Sequence, residues 1–139
     1  MKARDLSFRL CDSELAVAFV GRFHSLLPTC HHGPWRFAFE AHFAERTLAV
    51  ALWNDPSCQD FPRHWLELAR LAVCPQAPRY TCSRFLGWMV RYLRRHCPAA
   101  QKLLSYQDLK AHRGTIYQAA GWHFDYVSAR GKARWSINL

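Results

Sequence analysis

Apolar residues recur every three or four positions in two stretches of the chain, which is the spacing of a helix with one buried face. In the first stretch Asp12 or Ser13 can cap the helix, and Pro28 ends it. Its predicted buried stripe consists of Leu15, Ala16, Phe19, Val20, Phe23 and Leu27. In the second stretch a long helix opens at residues 80–83 and ends before Pro98. Its predicted buried stripe consists of Leu86, Met89, Val90 and Leu93.

Runs of apolar residues, some of them alternating with polar ones, predict strands around these helices. The predicted strands cover residues 6–10, 35–41, 47–53, 64–73, 103–106, 123–128 and 133–137, and a further short helix is predicted at about 114–120. The element order is therefore β-α-β-β-β-α-β-α-β-β. This order predicts an α/β fold of the α+β type, a single domain over residues 1–139 with a mixed sheet and helices on both faces.

The composition limits the classes of protein to which the chain can belong. Its 139 residues, half of them hydrophobic, suffice for one core and exclude a disordered chain. An apolar run of about 18 residues is absent, so no transmembrane helix is expected. The first ten residues lack the apolar segment of a secretory signal, and we expect a cytoplasmic protein. The net charge of +9 favours polyanionic partners such as nucleic acid, although simple solubility also explains it.

The six cysteines are never spaced as Cys-x-x-Cys, and no zinc finger or ribbon pattern is present. In a cytoplasmic protein they are expected to be free thiols. The segment Cys30-His31-His32, with His24 and His42 nearby in sequence, has ligand types that can hold a metal. With eight histidines in the chain, such a cluster arises easily by chance, and we predict no metal site.

The apolar strand at residues 68–73 leads through a turn at 74–79 into the long helix. The first turn of a helix has unpaired N–H groups and positive partial charge, so this junction is a candidate site for a phosphorylated ligand. Tyr117, on the later short helix, can then sit close to the group which that ligand delivers.

Two segments resemble the GNAT acyltransferase superfamily. Residues 71–75, Leu-Ala-Val-Cys-Pro, resemble the Leu-x-Val-x-Pro end of its central strand, and residues 116–122 resemble its later aromatic-Tyr-x-x-x-Gly-aromatic helix. More narrowly, the chain resembles the phage Mom DNA-modification proteins over about residues 64–125. The matching pieces are residues 70–73, 83–88, 105–108 and 112–119. The resemblance implies a GNAT-like, mostly antiparallel sheet. It also implies an enzyme that converts the exocyclic amine of DNA adenine to a carbamoylmethyl derivative, which blocks restriction nucleases.

The GNAT resemblance further implies acetyl-CoA or another acyl-CoA as cofactor. The positions that would contact it are Leu71, Ala72, Val73, Arg79, Tyr80, Thr81, Cys82 and Ser83. The backbone N–H of Ala72 or Val73 is the expected donor to the acyl carbonyl. The chain departs from the family in the turn that cradles the pyrophosphate, because residues 76–83 contain no glycine. We expect the hydroxyls of Thr81 and Ser83 to add hydrogen-bond donors there.

Catalytic roles are predicted for four residues. Tyr117 matches the position of the general acid in many GNAT enzymes, although a core tyrosine on an amphipathic helix would look the same. Asp108 and Ser105 belong to the Mom-like segment, where Asp108 follows a strand end and is either a substrate contact or a loop cap. Glu67 lies on the central strand and can accept a proton or orient a water, or simply be exposed.

Substrate contacts are predicted mainly from charge. Three arginines fall on one face of the long helix at spacings of seven and four residues, which suits DNA phosphates but also a solvated face. The predicted DNA or substrate contacts are His24, Arg84, Arg91, Arg95, Tyr106 and Arg113. Two other functions remain open. One is acylation of a small amine, a peptide or an aminoacyl-tRNA, and the other is binding of nucleic acid or a partner protein without catalysis.

Overall fold

The computed structural model describes residues 1–24, 34–57, 60–62, 64–109 and 114–139. Within these residues, after a 3₁₀ turn at Ala3–Asp5, the chain forms seven strands and three α-helices. The strands are β1 Ser7–Leu10, β2 Phe37–Phe43, β3 Arg46–Asn54, β4 Trp65–Val73, β5 Lys102–Asp108, β6 His123–Val127 and β7 Lys132–Asn138. The helices are α1 Ser13–Phe23, α2 Thr81–His96 and α3 Thr115–Ala119. The predicted order of strands and helices is confirmed.

The strands form one sheet in the order β1-β2-β3-β4-β5-β7-β6. Neighbouring strands are antiparallel except β4 and β5, which are parallel. A parallel pair needs a crossover connection, and α2 provides it. The sheet is therefore mixed and mostly antiparallel, as predicted.

Helices cover both faces of this sheet, and each face has its own apolar cluster. On one face α1 packs through Ala16 and Val20 onto Val50 and Leu52 of β3. On the other face lie α2 and α3, whose larger cluster includes the side chains of Phe39, Trp53, Phe85, Leu86, Met89, Leu93, Leu103 and Trp135. The predicted stripe of α2 is fully confirmed, since Leu86, Met89, Val90 and Leu93 are all buried. No helix in the described ranges is both long and apolar enough to cross a membrane.

The first helix differs from its prediction at two points. Asp12 caps it as expected, by accepting a hydrogen bond from the backbone N–H of Glu14 at 3.0 Å. The helix ends at Phe23 rather than near Pro28, because His24 already has an extended backbone. Leu15 was predicted to be buried but is exposed, since it lies about 100° around the helix from Ala16, which faces the sheet. Leu27 and Pro28 lie outside the described residues.

The parallel pair separates halfway along its length. β4 and β5 are hydrogen-bonded from Trp65–Lys102 to Leu68–Ser105, and the pairing stops there although both strands continue. At the same point β4 has a β-bulge against β3, because Trp53 pairs with Leu68 while Leu52 pairs with Arg70, which leaves Ala69 as the extra residue. A bulge bends its strand and redirects the side chains after it. The far half of β4 therefore turns away from β5 and opens a gap in the sheet.

Gly114 starts α3 with a positive φ of +73°, and a Cβ there would lie 2.6 Å from Gln107 Oε1 and 2.8 Å from Trp135 Cζ2. We predict that Gly114→Ala lowers the free energy of unfolding by about 2–4 kcal/mol, since the left-handed strain and the overpacking add. Gly131→Ala is the matched control, because its φ is +78° but no atom lies within 4 Å of the added Cβ. This variant should lower the free energy of unfolding by only the cost of the left-handed strain, about 1–2 kcal/mol. Urea denaturation measures both, and equal losses would contradict the steric account.

Candidate functional site

A cavity of about 430 Å³ occupies the gap between the separated ends of β4 and β5. Besides the two strands, its walls come from the first turn of α2, the start of α3, β7 and the end of α1. The lining residues are His24, Leu68, Ala69, Leu71, Val73, Cys82, Ser105, Tyr106, Gln107, Asp108, Gly114, Thr115, Ile116, Tyr117 and Lys132.

The cavity is reached from both faces of the sheet. Alternate residues of β5 point to opposite faces. Ser105 contacts Tyr117 of α3, so Ser105 and Gln107 point to the face of α2 and α3. Tyr106 and Asp108 therefore point to the opposite face, as does Lys132, which pairs with Asp108 across β5 and β7. Two ligands entering from opposite faces can thus meet in the gap.

The backbone of β4 supplies hydrogen-bond donors to this gap. The N–H of Cys74 donates to the carbonyl of Leu48 on β3 at 2.8 Å. Since successive residues of a strand direct their N–H groups to opposite sides, Ala72 also bonds towards β3, while Leu71 and Val73 direct theirs towards the gap. Val73 therefore remains the candidate carbonyl donor. The prediction for Ala72 is wrong, because its N–H faces β3 and its side chain is buried beneath α1.

The turn into α2 achieves a tight bend without glycine. Tyr80 precedes the helix in the left-handed conformation, with φ of +74°. The first helical hydrogen bond runs from Arg84 N–H to the carbonyl of Tyr80, so the helix itself supplies no partner for the N–H groups of Cys82 and Ser83. The guanidinium of Arg79 lies 4.8 Å from the centre of the Tyr80 ring and adds positive charge at this end of α2.

The hydroxyl groups in this turn do not play the predicted role. Thr81 Oγ1 donates to the carbonyl of Pro78 at 2.6 Å, and Ser83 Oγ donates to the carbonyl of Tyr80 at 3.2 Å. These bonds stabilise the turn, and they use the hydrogen atoms that were expected to reach a ligand. Cys82 does line the cavity, but burial raises the pKa of its thiol to about 11, so it stays protonated and is a poor nucleophile.

The buried phenol of Tyr117 lines the cavity from the α3 side. It is 7% exposed, and its hydroxyl lies 2.7 Å from Ser105 Oγ, a hydrogen bond that either group can donate. Burial raises the pKa of Tyr117 above the ordinary tyrosine value, while the hydrogen bond with Ser105 opposes the increase. The phenol therefore holds its proton through neutral pH.

The opposite face presents a different set of groups to the cavity. Tyr106, Asp108 and Lys132 line it from β5 and β7, and His24 lines it from the end of α1. Burial raises the pKa of Tyr106, as do the neighbouring Tyr126 and Glu67, so this phenol is also neutral. The predicted residues His24, Tyr106 and Asp108 are thus brought together on the face opposite Tyr117 and the α2 turn.

A family model described as the Mom protein family matches residues 53–136, which is more than half of the chain. The chain belongs to the Mom family. The match includes β4, β5, α3 and most of β7, and therefore almost all of the residues around the cavity. The resemblance inferred from the sequence is confirmed. No curated protein sequence matches the chain.

Solved structures similar to this Mom family member are GNAT acetyltransferases. One is yncA, a putative acetyltransferase from Salmonella typhimurium solved with its cofactor acetyl-CoA, with a TM-score of 0.74 and 12% identity over 97% of this chain and 94% of that one. Another is a GNAT-family acetyltransferase from Streptococcus pneumoniae, with a TM-score of 0.73 and 14% identity over 96% and 99%. A third is the ribosomal-protein-S18-alanine N-acetyltransferase of Escherichia coli. Its TM-score is 0.70, and it is 14% identical over 96% of this chain and 94% of that one. The fold is that of the GNAT acyltransferases.

Sequence reasoning missed the roles of two residues of β7, one beside Tyr117 and one on the opposite side of the cavity. Trp135 of β7 stacks on the phenol ring with centroids 5.6 Å apart, and its Nε1 donates to Gln107 Oε1 at 2.8 Å. Lys132 was likewise not predicted to reach the cavity. The period-two pattern of β7 indicates which of its residues share a face, but only the pairing of β7 with β5 brings Trp135 beside Tyr117 and Lys132 beside Asp108.

Glu67 does not belong to the site, in contrast to its prediction. It lies in the paired half of β4, where Oε1 accepts hydrogen bonds from the backbone N–H and the hydroxyl of Ser57 at 3.2 and 3.1 Å. It is not among the residues that line the cavity. Because the bulge at Ala69 reverses the facing of later residues, counting along β4 from the sequence gives no guide to the side chains that reach the gap.

The structure describes some, but not all, of the basic residues that were predicted to contact DNA. Arg84, Arg91 and Arg95 are all exposed along α2, as expected. Arg113 and the segment Cys30-His31-His32 lie outside the described residues. Among residues 1–24, 34–57, 60–62, 64–109 and 114–139, no three His, Cys, Asp or Glu side chains are grouped so that they could hold a metal ion.

We predict that Ser105→Ala lowers the free energy of unfolding by about 1–3 kcal/mol, because it leaves the buried Tyr117 hydroxyl without its partner. Tyr117→Phe should have a similar cost. The double variant removes both groups and should lose less than the sum of the single losses, with a coupling energy of about 0.5–3 kcal/mol. Chemical denaturation of the four proteins measures this cycle, and strictly additive losses would contradict the hydrogen bond.

Proposed function

We propose that this protein is a Mom-type DNA-modifying enzyme that uses acetyl-CoA or another acyl-CoA and acts on the exocyclic amine of adenine. The observation that carries the proposal is the cavity between β4 and β5. The buried phenol of Tyr117 lines it on one face of the sheet, and Tyr106 and Asp108 line it on the other. The family match adds the substrate class, since the Mom resemblance implies a carbamoylmethyl-type modification that protects DNA from restriction nucleases.

The fit of an acyl-CoA is supported by the backbone around the cavity. The N–H groups of Leu71 and Val73 face the gap, where an extended amide-containing chain can bond to β4 as a further strand does. The N–H groups of Cys82 and Ser83 and the charge of Arg79 suit a pyrophosphate at the start of α2. The similar structure yncA was solved with acetyl-CoA. When bound, such a cofactor supplies an activated thioester.

The residues of the chain supply the remaining chemistry. The N–H of Val73 is the candidate donor to a carbonyl oxygen that gains negative charge. Tyr117 holds a proton at its hydroxyl oxygen and can give it to a departing thiolate. The Ser105 hydroxyl, 2.7 Å away, can then donate to the resulting phenolate. Cys82 keeps its proton and takes no part as a nucleophile.

An adenine amine fits the opposite side of the cavity. This amine is neutral at physiological pH, so the site needs no strong base. The carboxylate of Asp108 can accept a hydrogen bond from it and orient its lone pair, and Tyr106 and His24 can contact the base. Because the amine is paired inside a duplex, the base must leave the stack to reach this cavity.

Binding of DNA is supported by charge. The net charge is +9, and α2 carries Arg84, Arg91, Arg94 and Arg95 without any acidic residue. Exposed cations of this kind attract phosphates without regard to sequence. Arg113 belongs to the same basic half of the chain and stays a predicted contact.

A second candidate is an N-acyltransferase that acts on a small amine or a peptide. It is favoured by the similar structures, one of which is named as an acetyltransferase of a ribosomal-protein alanine. It requires the same cofactor side of the cavity but no DNA. A non-catalytic binding protein would use the buried pair of Tyr117 and Ser105 for stability alone.

We predict that acetyl-CoA raises the melting temperature of the protein, since a ligand that binds only the folded state stabilises it by about 2.7 kcal/mol at a hundred times its Kd. Arg79→Glu should abolish most of this increase. Arg95→Glu is the matched control, with the same charge change at the other end of α2, and should retain it. Differential scanning fluorimetry measures the three proteins. An unchanged melting curve of the natural protein at millimolar acetyl-CoA would refute the cofactor.

We predict that DNA from cells producing this protein contains deoxyadenosine modified on its exocyclic amine, detected by mass spectrometry of its nucleosides. Acyl transfer from the thioester forms an N-acyl amide as the C–S bond breaks, and the mass of this product distinguishes it from the carbamoylmethyl derivative that the Mom resemblance implies. Tyr117→Phe should reduce the modification roughly 100-fold or more through kcat, because it removes the acid but preserves the ring packing. Asp108→Asn should also suppress it while leaving DNA binding intact. Unmodified DNA together with acylation of a small amine or peptide in vitro would favour the second candidate.

A further inference from the structure

The half of the sheet formed by β5, β7 and β6 has a face that points away from α2 and α3, and we call it the open face. α1 lies on the same side of the sheet but packs over β2, β3 and β4. The open face therefore lies beside α1 and next to the side of the cavity that Tyr106, Asp108 and Lys132 line. An acceptor that approaches this side of the cavity must pass along it.

Aromatic rings and one guanidinium form a continuous surface on the open face. Arg134 lies 4.8 Å from the centre of the Tyr126 ring, 5.4 Å from that of Phe61 and 5.7 Å from that of Trp65. Its Nε donates to Asp125 at 2.8 Å, and its side chain is only 11% exposed. We call these four residues, Phe61, Trp65, Tyr126 and Arg134, the Arg134 cluster.

An irregularity in the pairing of β6 with β7 positions part of this cluster. A bulge in β6 leaves Asp125 between Phe124, which pairs with Trp135, and Tyr126, which pairs with Arg134. The bulge therefore brings Asp125 and Tyr126 to the open face together. The carboxylate of Asp125 also accepts a hydrogen bond from the Ser136 hydroxyl at 3.0 Å, so both of its oxygens are bonded to residues of β7.

The cluster reaches the surface through Tyr126 and extends towards the cavity. Tyr126 is 43% exposed. Arg134 pairs with Tyr126 on β6 and with Tyr106 on β5, so the three residues lie in one row across the open face, and Tyr106 at the end of this row lines the cavity. Lys102 contacts the Trp65 ring at 4.8 Å, and Lys132 lies on β7 beside the cavity. These two cations lie near opposite ends of the β5–β7 ladder, about 20 Å apart.

We propose that the Arg134 cluster is a stacking platform for unpaired nucleotides that flank the target base, with Lys102 and Lys132 contacting their phosphates. Rings on neighbouring strands of an open sheet are a known way to stack unpaired bases, and interleaved cations match the phosphates. A protein partner fits less well, because the polar tyrosine and the charged groups are interleaved with the rings. The inference rests on the proposed function, which requires a base to leave the duplex.

The test measures binding of a labelled single-stranded oligodeoxynucleotide by fluorescence anisotropy at several salt concentrations, without acyl-CoA. Tyr126→Ala should weaken binding about 5- to 100-fold, with an unchanged salt dependence, since stacking releases no counterions. Phe124→Ala is the matched control. Phe124 lies on the same strand and is 45% exposed, but it packs on Trp135 at the opposite face, so its variant should bind within twofold of the natural protein. Lys102→Ala combined with Lys132→Ala should instead flatten the salt dependence, by up to about 1.4 units of slope, because each phosphate contact of a single strand contributes about 0.7.

A second ligand tests the proposal without any variant. An oligomer of the same length made of abasic sites keeps the phosphates but offers no base to stack. The natural protein should bind it more weakly than the normal oligomer, and Tyr126→Ala should cause no further loss. Equal effects of Tyr126→Ala and Phe124→Ala, or equal affinity of the natural protein for both oligomers, would overturn the platform.

The two proposals can fail separately. Stacking without modified adenine would refute only the proposed function, and modification unaffected by Tyr126→Ala would refute only the platform.

Discussion

The separation of β4 from β5 is the constraint on which the rest of this site depends. Parallel strands normally bond along their whole shared length, but here the pairing ends at Leu68 and Ser105 although both strands continue. Each hydrogen bond left unmade removes about 1 kcal/mol of net stabilisation. The cost is limited because each strand keeps its outer partner, β4 bonding to β3 as far as Val73 and β5 to β7 as far as Asp108. The sheet thereby stays whole around a gap in its middle.

The groups in the gap are held by packing rather than by charge. Tyr117 lies against Trp135 and Trp122, with ring centroids 5.6 Å away in each case, and Gly114 allows α3 to start close to Gln107. The same burial that fixes the position of the phenol also raises its pKa, so its fixed position and its raised pKa have one physical cause.

The turn before α2 illustrates how a sequence motif can be absent while its geometry is kept. Glycine is the usual residue for a left-handed backbone, because it has no Cβ. Tyr80 adopts that conformation here, at a cost of roughly 1–2 kcal/mol. The contact between its ring and Arg79, together with the bonds from Thr81 and Ser83 to backbone carbonyls, holds the turn in this shape. The absence of glycine from this turn is therefore no evidence that the N–H groups at the start of α2 are inaccessible.

The amino-acid sequence by itself determined the order of the elements, the buried stripe of α2 and the family, because periodicity and short motifs are local properties of the chain. It also indicated that Tyr117, Asp108, Tyr106 and His24 belong near one site. The tertiary structure decided everything that depends on pairing between distant segments. The bulge at Ala69 directs the N–H of Val73, but not that of Ala72, into the gap, and the pairing of β5 with β7 brings Trp135 and Lys132 beside it. Glu67 bonds to Ser57 instead of lining the cavity, and Arg134 is enclosed by rings from separate strands and a loop. A shift of one residue turns every later side chain of a strand to the other face, and the bulge at Ala69 that causes this shift in β4 is defined only by the pairing with β3.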